Sequence, residues 1–212
     1  AEKAGYDTFM MKEIHEQPEA IAETILDRLT EDDSVDLSDI GFGDEVFRQC
    51  SRIVIVACGT SYHAGLVGRY AIERWARVPV EMDIASEYRY RDPVIGENDL
   101  VIGITQSGET ADTLAAMRLA RDRGAKVLAI TNIMGSQATR DSDAVLFTRA
   151  GLEIGVAATK TFVAQVAAMY LVALRLAELR GNLGFSEVSR LINELRAIPE
   201  KMEATIDSES ER

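Results

Sequence analysis

The sequence predicts a doubly wound α/β fold: a five-stranded parallel sheet in the order 2-1-3-4-5, in three αβα layers, with extra helices at both termini. Three observations predict it. From residue 52 the chain alternates short apolar runs with longer stretches of helical spacing. The runs, such as Ile53-Val54-Ile55-Val56 and Leu100-Val101-Ile102, are continuously apolar, as in strands covered on both faces. Two of them end in glycine- and hydroxyl-rich turns that lead into helices.

In order, Asp7 to Leu29 carries helical spacing in Phe9, Met10, Ile14, Ile21, Ile25 and Leu29, and Pro18 breaks or kinks it. The acidic stretch Glu31 to Asp39 is a loop feeding Val46, Phe47 and Cys50. Strands are expected at Arg52–Cys58, Pro79–Ile84, Asp99–Thr105, Ala125–Thr131 and Ala144–Thr148. Between them come helices at Ser61–Arg77, Ser86–Arg91, Glu109–Arg123 (closed by Gly124) and Ser136–Asp141. A long apolar helix, Thr159 to Leu179, follows. One more amphipathic helix spans Phe185 to Met202, and the tail from Asp207 to Arg212 is expected to fray. This divides the chain into a helical lead-in at 1–45, a sheet domain at 46–184 and a C-terminal helix and tail at 185–212.

The 212 residues include 47% hydrophobic side chains and a formal net charge of -12, which argues against nucleic acid or an anionic membrane as partner. The longest apolar run, Val166 to Leu174, is about half of the roughly 20 residues a spanning helix needs. Two cysteines, Cys50 and Cys58, make no disulfide framework and favour a cytoplasmic setting. Cys58 is expected as a buried strand-end thiol. No signal-peptide pattern opens the chain, and its first residue, alanine, suggests a piece of something longer.

The chemistry concentrates in Cys58-Gly59-Thr60-Ser61 and Thr105-Gln106-Ser107-Gly108-Glu109-Thr110. A helix start offers free N–H groups and the positive end of the dipole, which suits a phosphate. Hydroxyls and the Gln106 amide add neutral donors. For either loop alone, helix capping competes: Ser107 is a good N-cap and Glu109 favours the dipole. Strands 1 and 3 flank the switch point of this sheet order, however, so both loops face one crevice. No Walker A sequence occurs, and Gly59 lacks the spacing of a dinucleotide fingerprint. A flavin-phosphate loop is expected after strand 1, whereas the Thr105 loop follows strand 3. The only tryptophan, Trp75, lies inside a helix.

With Ala85-Ser86-Glu87-Tyr88-Arg89-Tyr90-Arg91, Gln106 through Thr113, Glu153-Ile154-Gly155-Val156-Ala157 and the lead-in Met11 through Pro18, the chain resembles the sugar isomerase (SIS) domain family. It looks like the first SIS domain of the isomerising glutamine–fructose-6-phosphate aminotransferases. The resemblance covers nearly the whole chain. It implies binding of fructose 6-phosphate or glucosamine 6-phosphate by Thr60, Ser61, Thr105, Gln106, Ser107 and Thr110. Val156 and Ala158 are implied to contact the sugar. Thr105 and Ala158 stand where the family commonly has serine, so Ala158 offers only backbone. The resemblance also implies a homodimer, no cofactor and no metal. The family's catalytic groups lie beyond the first SIS domain, so no catalytic residue is expected here. His63 is read as a partly exposed helix residue, Lys160 as a solvated or ion-paired side chain, and His15 as outside any metal pattern. Two rival functions are a phosphosugar sensor and a stand-alone isomerase. The first should carry a basic DNA-binding segment, which is not evident; the second needs a base within this chain.

Overall fold

Side chains alternate across each strand, and in the three central strands both sides of the alternation are apolar. In the computed structural model, which describes residues 2–210, Ile53, Ile55 and Ala57 enter one core while Val54 and Val56 enter another. The strands are β1 (Arg52–Ala57), β2 (Val80–Ile84), β3 (Asp99–Thr105), β4 (Lys126–Thr131) and β5 (Ala144–Phe147). All pair in parallel in the order β2-β1-β3-β4-β5. The edge strand β2 departs from the expected continuous apolar run by alternating with Glu81 and Asp83. In register, Ile55 lies beside Ile102, which lies beside Leu128, and these three share the larger core. Val54, Val101 and Val127, one residue earlier on each strand, line the other.

The helices are α1 (Phe9–His15), α2 (Gln17–Ile25), α3 (Asp44–Gln49), α4 (Gly59–Ala71), α5 (Ala85–Tyr88), α6 (Ala111–Asp122), α7 (Gln137–Asp141), α8 (Lys160–Leu179), α9 (Phe185–Arg196) and α10 (Ile198–Ser210). α8 is the central element of the larger core. It is long and apolar enough to cross a membrane by length and composition, yet its Ala168, Met169, Leu171 and Val172 are fully enclosed, as expected of a core helix.

The lead-in protects an edge of the sheet. Thr24 Oγ1 donates to Thr148 O at 2.5 Å, Arg28 Nη1 donates to Phe147 O at 2.7 Å, and Val145 N donates to Ile40 O at 2.7 Å. These bonds occupy groups that an edge strand such as β5 would otherwise leave open. Burial pulls the Arg28 guanidinium down to about 10, so it stays charged at neutral pH.

Several boundaries differ from the sequence reading. The first helix divides at Glu16, and Pro18 falls in the first turn of α2, where its missing N–H has no helical partner to lose. Helix Ser61–Arg77 is α4 followed by a π-helical turn, Ile72–Ala76, ending at Arg77 in the left-handed region (φ +55°). The single helix expected over Phe185–Met202 is two: α9 stops at Arg196, and Pro199, which cannot donate to a preceding turn, sits in the first turn of α10. The tail expected to fray is helical through Ser210; 211–212 lie outside the described residues. Cys58 is half-buried rather than buried, because β1 ends one residue before it.

Candidate functional site

Parallel pairing of β1 with β3 sets Ala57 against Ile104, so the two hydroxyl loops leave the same edge of the sheet side by side. Their helix starts are open. Cys58 is the N-cap of α4 and Thr110 that of α6, and neither makes a side-chain capping bond. The competing capping role for Ser107 is not adopted, since Thr110 is the N-cap of α6. Ser107 Oγ instead accepts Glu109 N at 3.2 Å inside the loop, and the Glu109 carboxylate accepts Gln137 N at 2.7 Å, serving α7. Two helix starts without side-chain caps therefore lie beside each other at one edge of the sheet, and their own loops carry no cation.

The loop 105–110 is built to hold a fixed shape. Thr105, 2% exposed, lies beneath it and accepts Gly108 N at 3.2 Å, while its hydroxyl pairs with that of Thr110 at 2.9 Å. Gly108 takes φ +70°, a region where a Cβ is strained, and a Cβ there would lie 2.0 Å from Ser136 Oγ. Asn132 N donates to Gln106 O at 3.2 Å. The Asn132 amide also accepts Ala150 N at 2.8 Å and donates to Gly151 O at 2.6 Å. One residue, through its backbone N–H and its side chain, thus ties the Gln106 loop to the segment after β5.

That segment carries Val156 and Ala158. Val156 is fully exposed and Ala158 half-buried. Two carboxylates pin the backbone around them. Glu153 Oε1 accepts Thr159 N at 2.9 Å and Thr161 N at 3.3 Å, capping α8, and its Oε2 accepts the Thr161 hydroxyl. Glu13, 2% exposed, accepts Ile154 N and Gly155 N. Among the sequence-predicted residues, Thr60 is exposed, Ser61 is 8% exposed, and Gln106, Ser107 and Thr110 are half-buried.

His63 is exposed, more so than the partial exposure expected. Lys160 is ion-paired, its Nζ 2.7 Å from Glu16 Oε2. Arg89 is held by Asp112 at 2.8 Å, and Tyr88 is buried at 1%, so this motif braces α5 against α6. Burial pushes the Tyr88 phenol up to about 12. Among the described residues no cluster of His, Cys, Asp or Glu is arranged to hold a metal ion.

Asn132, Ser136, Glu153 and Glu13 support the site without having been singled out individually. Thr131-Asn132 at a strand end was a usable signal, of the same kind as the two loops. Glu13 gave none, because its partners lie about 141 residues away.

The SIS domain pattern matches residues 46–175. This chain belongs to the SIS domain family. The glutamine–fructose-6-phosphate aminotransferase (isomerizing) of Mycolicibacterium smegmatis is 57% identical over 200 residues, which are 94% of this chain and 32% of that protein. That of Corynebacterium glutamicum is 51% identical over 211 residues, 100% of this chain and 34% of that protein. The chain thus spans about a third of the length of the curated relatives it matches. Among solved structures, the C-terminal domain of glucosamine-fructose-6-phosphate aminotransferase from Francisella tularensis superposes with a TM-score of 0.90 at 42% identity, covering 94% of this chain and 56% of that one.

Proposed function

We propose that this SIS domain binds the phosphate of fructose 6-phosphate and of glucosamine 6-phosphate. It would do so within an enzyme that turns fructose 6-phosphate and glutamine into glucosamine 6-phosphate and glutamate. The observation that carries the reading is the pair of helix starts, neither with a side-chain cap, that leave the sheet side by side at the β1/β3 switch point. Ser61, Gln106, Ser107 and Thr110 donate to the phosphate oxygens, with Thr60 at the rim and Thr105 holding the loop from below. Val156 and Ala158 meet the sugar through their backbone. The names of the relatives at 51% and 57% identity support the choice of sugar phosphate.

Chemically, the site is an anion holder. Each helix start contributes about 0.3–1 kcal/mol toward a negative group, up to about 2 where partly buried. Hydroxyl donors to a charged acceptor add about 1.5–3 kcal/mol each, net of the bonds exchanged with water. Neutral donors suit an anion that must be released after each turnover. The chain supplies no catalytic acid or base and no cofactor on this reading, so catalysis is assigned to other parts of the enzyme.

The division into 1–45, 46–184 and 185–212 is proposed as functional: lead-in, ligand-holding unit and C-terminal helical cover. We also assign copies of the chain a homodimeric contact through the apolar hollow of about 250 Å³ lined by Val67, Phe162, Val166, Tyr170, Ile198 and Met202. The unpaired thiols of Cys50 and Cys58 suit a cytoplasmic setting. The net charge of -12 supports no role for nucleic acid or membranes.

Titration with fructose 6-phosphate followed by amide NMR tests the binding. Shifts at Ser107 and Thr110 are expected at millimolar ligand; their absence refutes the proposal.

A further inference from the structure

We infer that Glu13, outside the matched family segment, is a positioning residue for the loop that carries Val156 and Ala158; this rests on the sugar-phosphate reading of the site. Glu13 is a carboxylate with only 2% of its surface exposed. Burying such a group is unfavourable unless hydrogen bonds replace its water. Its bonds are directed at one place. Oε1 accepts Ile154 N at 2.5 Å and Gly155 N at 3.1 Å, and Oε2 accepts Gly155 N at 3.0 Å. The fit is close on the loop side too, because a Cβ on Gly155 would lie 2.5 Å from Oε2.

The neighbouring turn of the lead-in repeats the arrangement. Residues three apart on a helical path share a face, which sets Glu16 beside Glu13. Glu16 pairs with Lys160 at 2.7 Å, and Lys12 braces it at 3.4 Å. Lys160 is the first residue of α8, where a cation meets the wrong end of the dipole, so the pairing compensates an otherwise poor placement. The lead-in therefore grips both ends of 154–160, and Glu153, just before it, holds Thr159 and Thr161.

What this clamp presents is Val156, fully exposed. Holding an apolar residue rigidly in water gains nothing for the chain alone. The same rigidity at a ligand's edge lowers the ordering cost of binding. The phosphate is held by a different loop, tied to β4 and α7. Asn132 links that loop to the segment after β5 at Ala150 and Gly151, ahead of the residues that Glu13 holds. Loss of Glu13 should therefore weaken recognition of the sugar and leave phosphate recognition alone.

The experiment measures dissociation constants of fructose 6-phosphate and of inorganic phosphate for the chain, Glu13→Ala and Glu13→Gln, with circular dichroism confirming folding. Glu13→Ala should weaken fructose 6-phosphate about ten-fold, with inorganic phosphate changed by less than about two-fold. Glu13→Gln keeps one acceptor oxygen and should fall between, and it decides the matter if Glu13→Ala does not fold. An unchanged ratio of the two constants in the folded variants overturns the inference, as does equal weakening of both ligands. If the unmodified chain binds both ligands equally well, the loop is not sugar-facing and the inference falls while the phosphate site stands. If it binds neither, the proposed function falls and takes this inference with it.

Discussion

Replacing Gly108 by alanine tests whether the phosphate loop has the close packing described above. The new Cβ would lie 2.0 Å from Ser136 Oγ, 2.4 Å from Ser136 Cβ and 3.0 Å from Thr131 Oγ1. Ser136 is short and 4% exposed, so it has little room to swing aside. Two terms add. Holding a non-glycine residue at φ +70° costs about 1–2 kcal/mol. Overpacking of an enclosed site costs about 1–3 kcal/mol more. A total near 3 kcal/mol should lower the melting temperature of a chain of this size by roughly 6–12 °C. Thermal melts and urea titrations by circular dichroism measure it. The double variant Gly108→Ala/Ser136→Gly removes both Ser136 atoms and should recover about 1–3 kcal/mol, leaving the backbone term. A Gly108→Ala loss below about 1 kcal/mol, or no recovery in the double variant, refutes the reasoning.

Other substitutions separate neighbouring ideas. Ser136 Oγ and Tyr88 OH are buried without a partner, so Ser136→Ala and Tyr88→Phe should be neutral or stabilising within about 1 kcal/mol, by urea midpoint. Glu153→Ala should cost about 2–3 kcal/mol and speed hydrogen exchange at the start of α8, since it removes charged caps from Thr159 and Thr161. For Asp99, burial raises the carboxyl, but the Arg52 hydrogen bond, Gly96 N–H and Arg52 charge outweigh it, so the folded value is depressed. A depressed carboxylate stabilises fully above its unfolded value near 3.8 and loses that contribution as pH falls through the folded value. Urea midpoints should therefore fall below about pH 4, and Asp99→Asn should flatten this acid limb while lowering stability at pH 7. Val166→Asp should dissociate a homodimer formed through the apolar hollow, read by sedimentation.

How much was legible follows from the range of the forces. β3 was read at its observed limits, Asp99–Thr105, because a continuous apolar run between polar ends is a local signal. The long helix was read to within one residue for the same reason. The break at Ala197 was not, since Pro199 tolerates the first turn of a new helix and the apolar spacing continues through it. At the site, the two hydroxyl loops were visible as composition. Their division of labour was not: Thr105 as an internal brace, Ser107 bonding within the loop, and Glu109 serving α7.

Periodicity, turn chemistry and motif order by themselves determined the sheet, its order and the family. Only the tertiary structure decided which polar groups are consumed by the fold and which remain for a ligand. A carboxylate such as Glu13 has no local reason to be buried, and its position is set by backbone N–H groups that arrive only when the lead-in closes over the loop after β5.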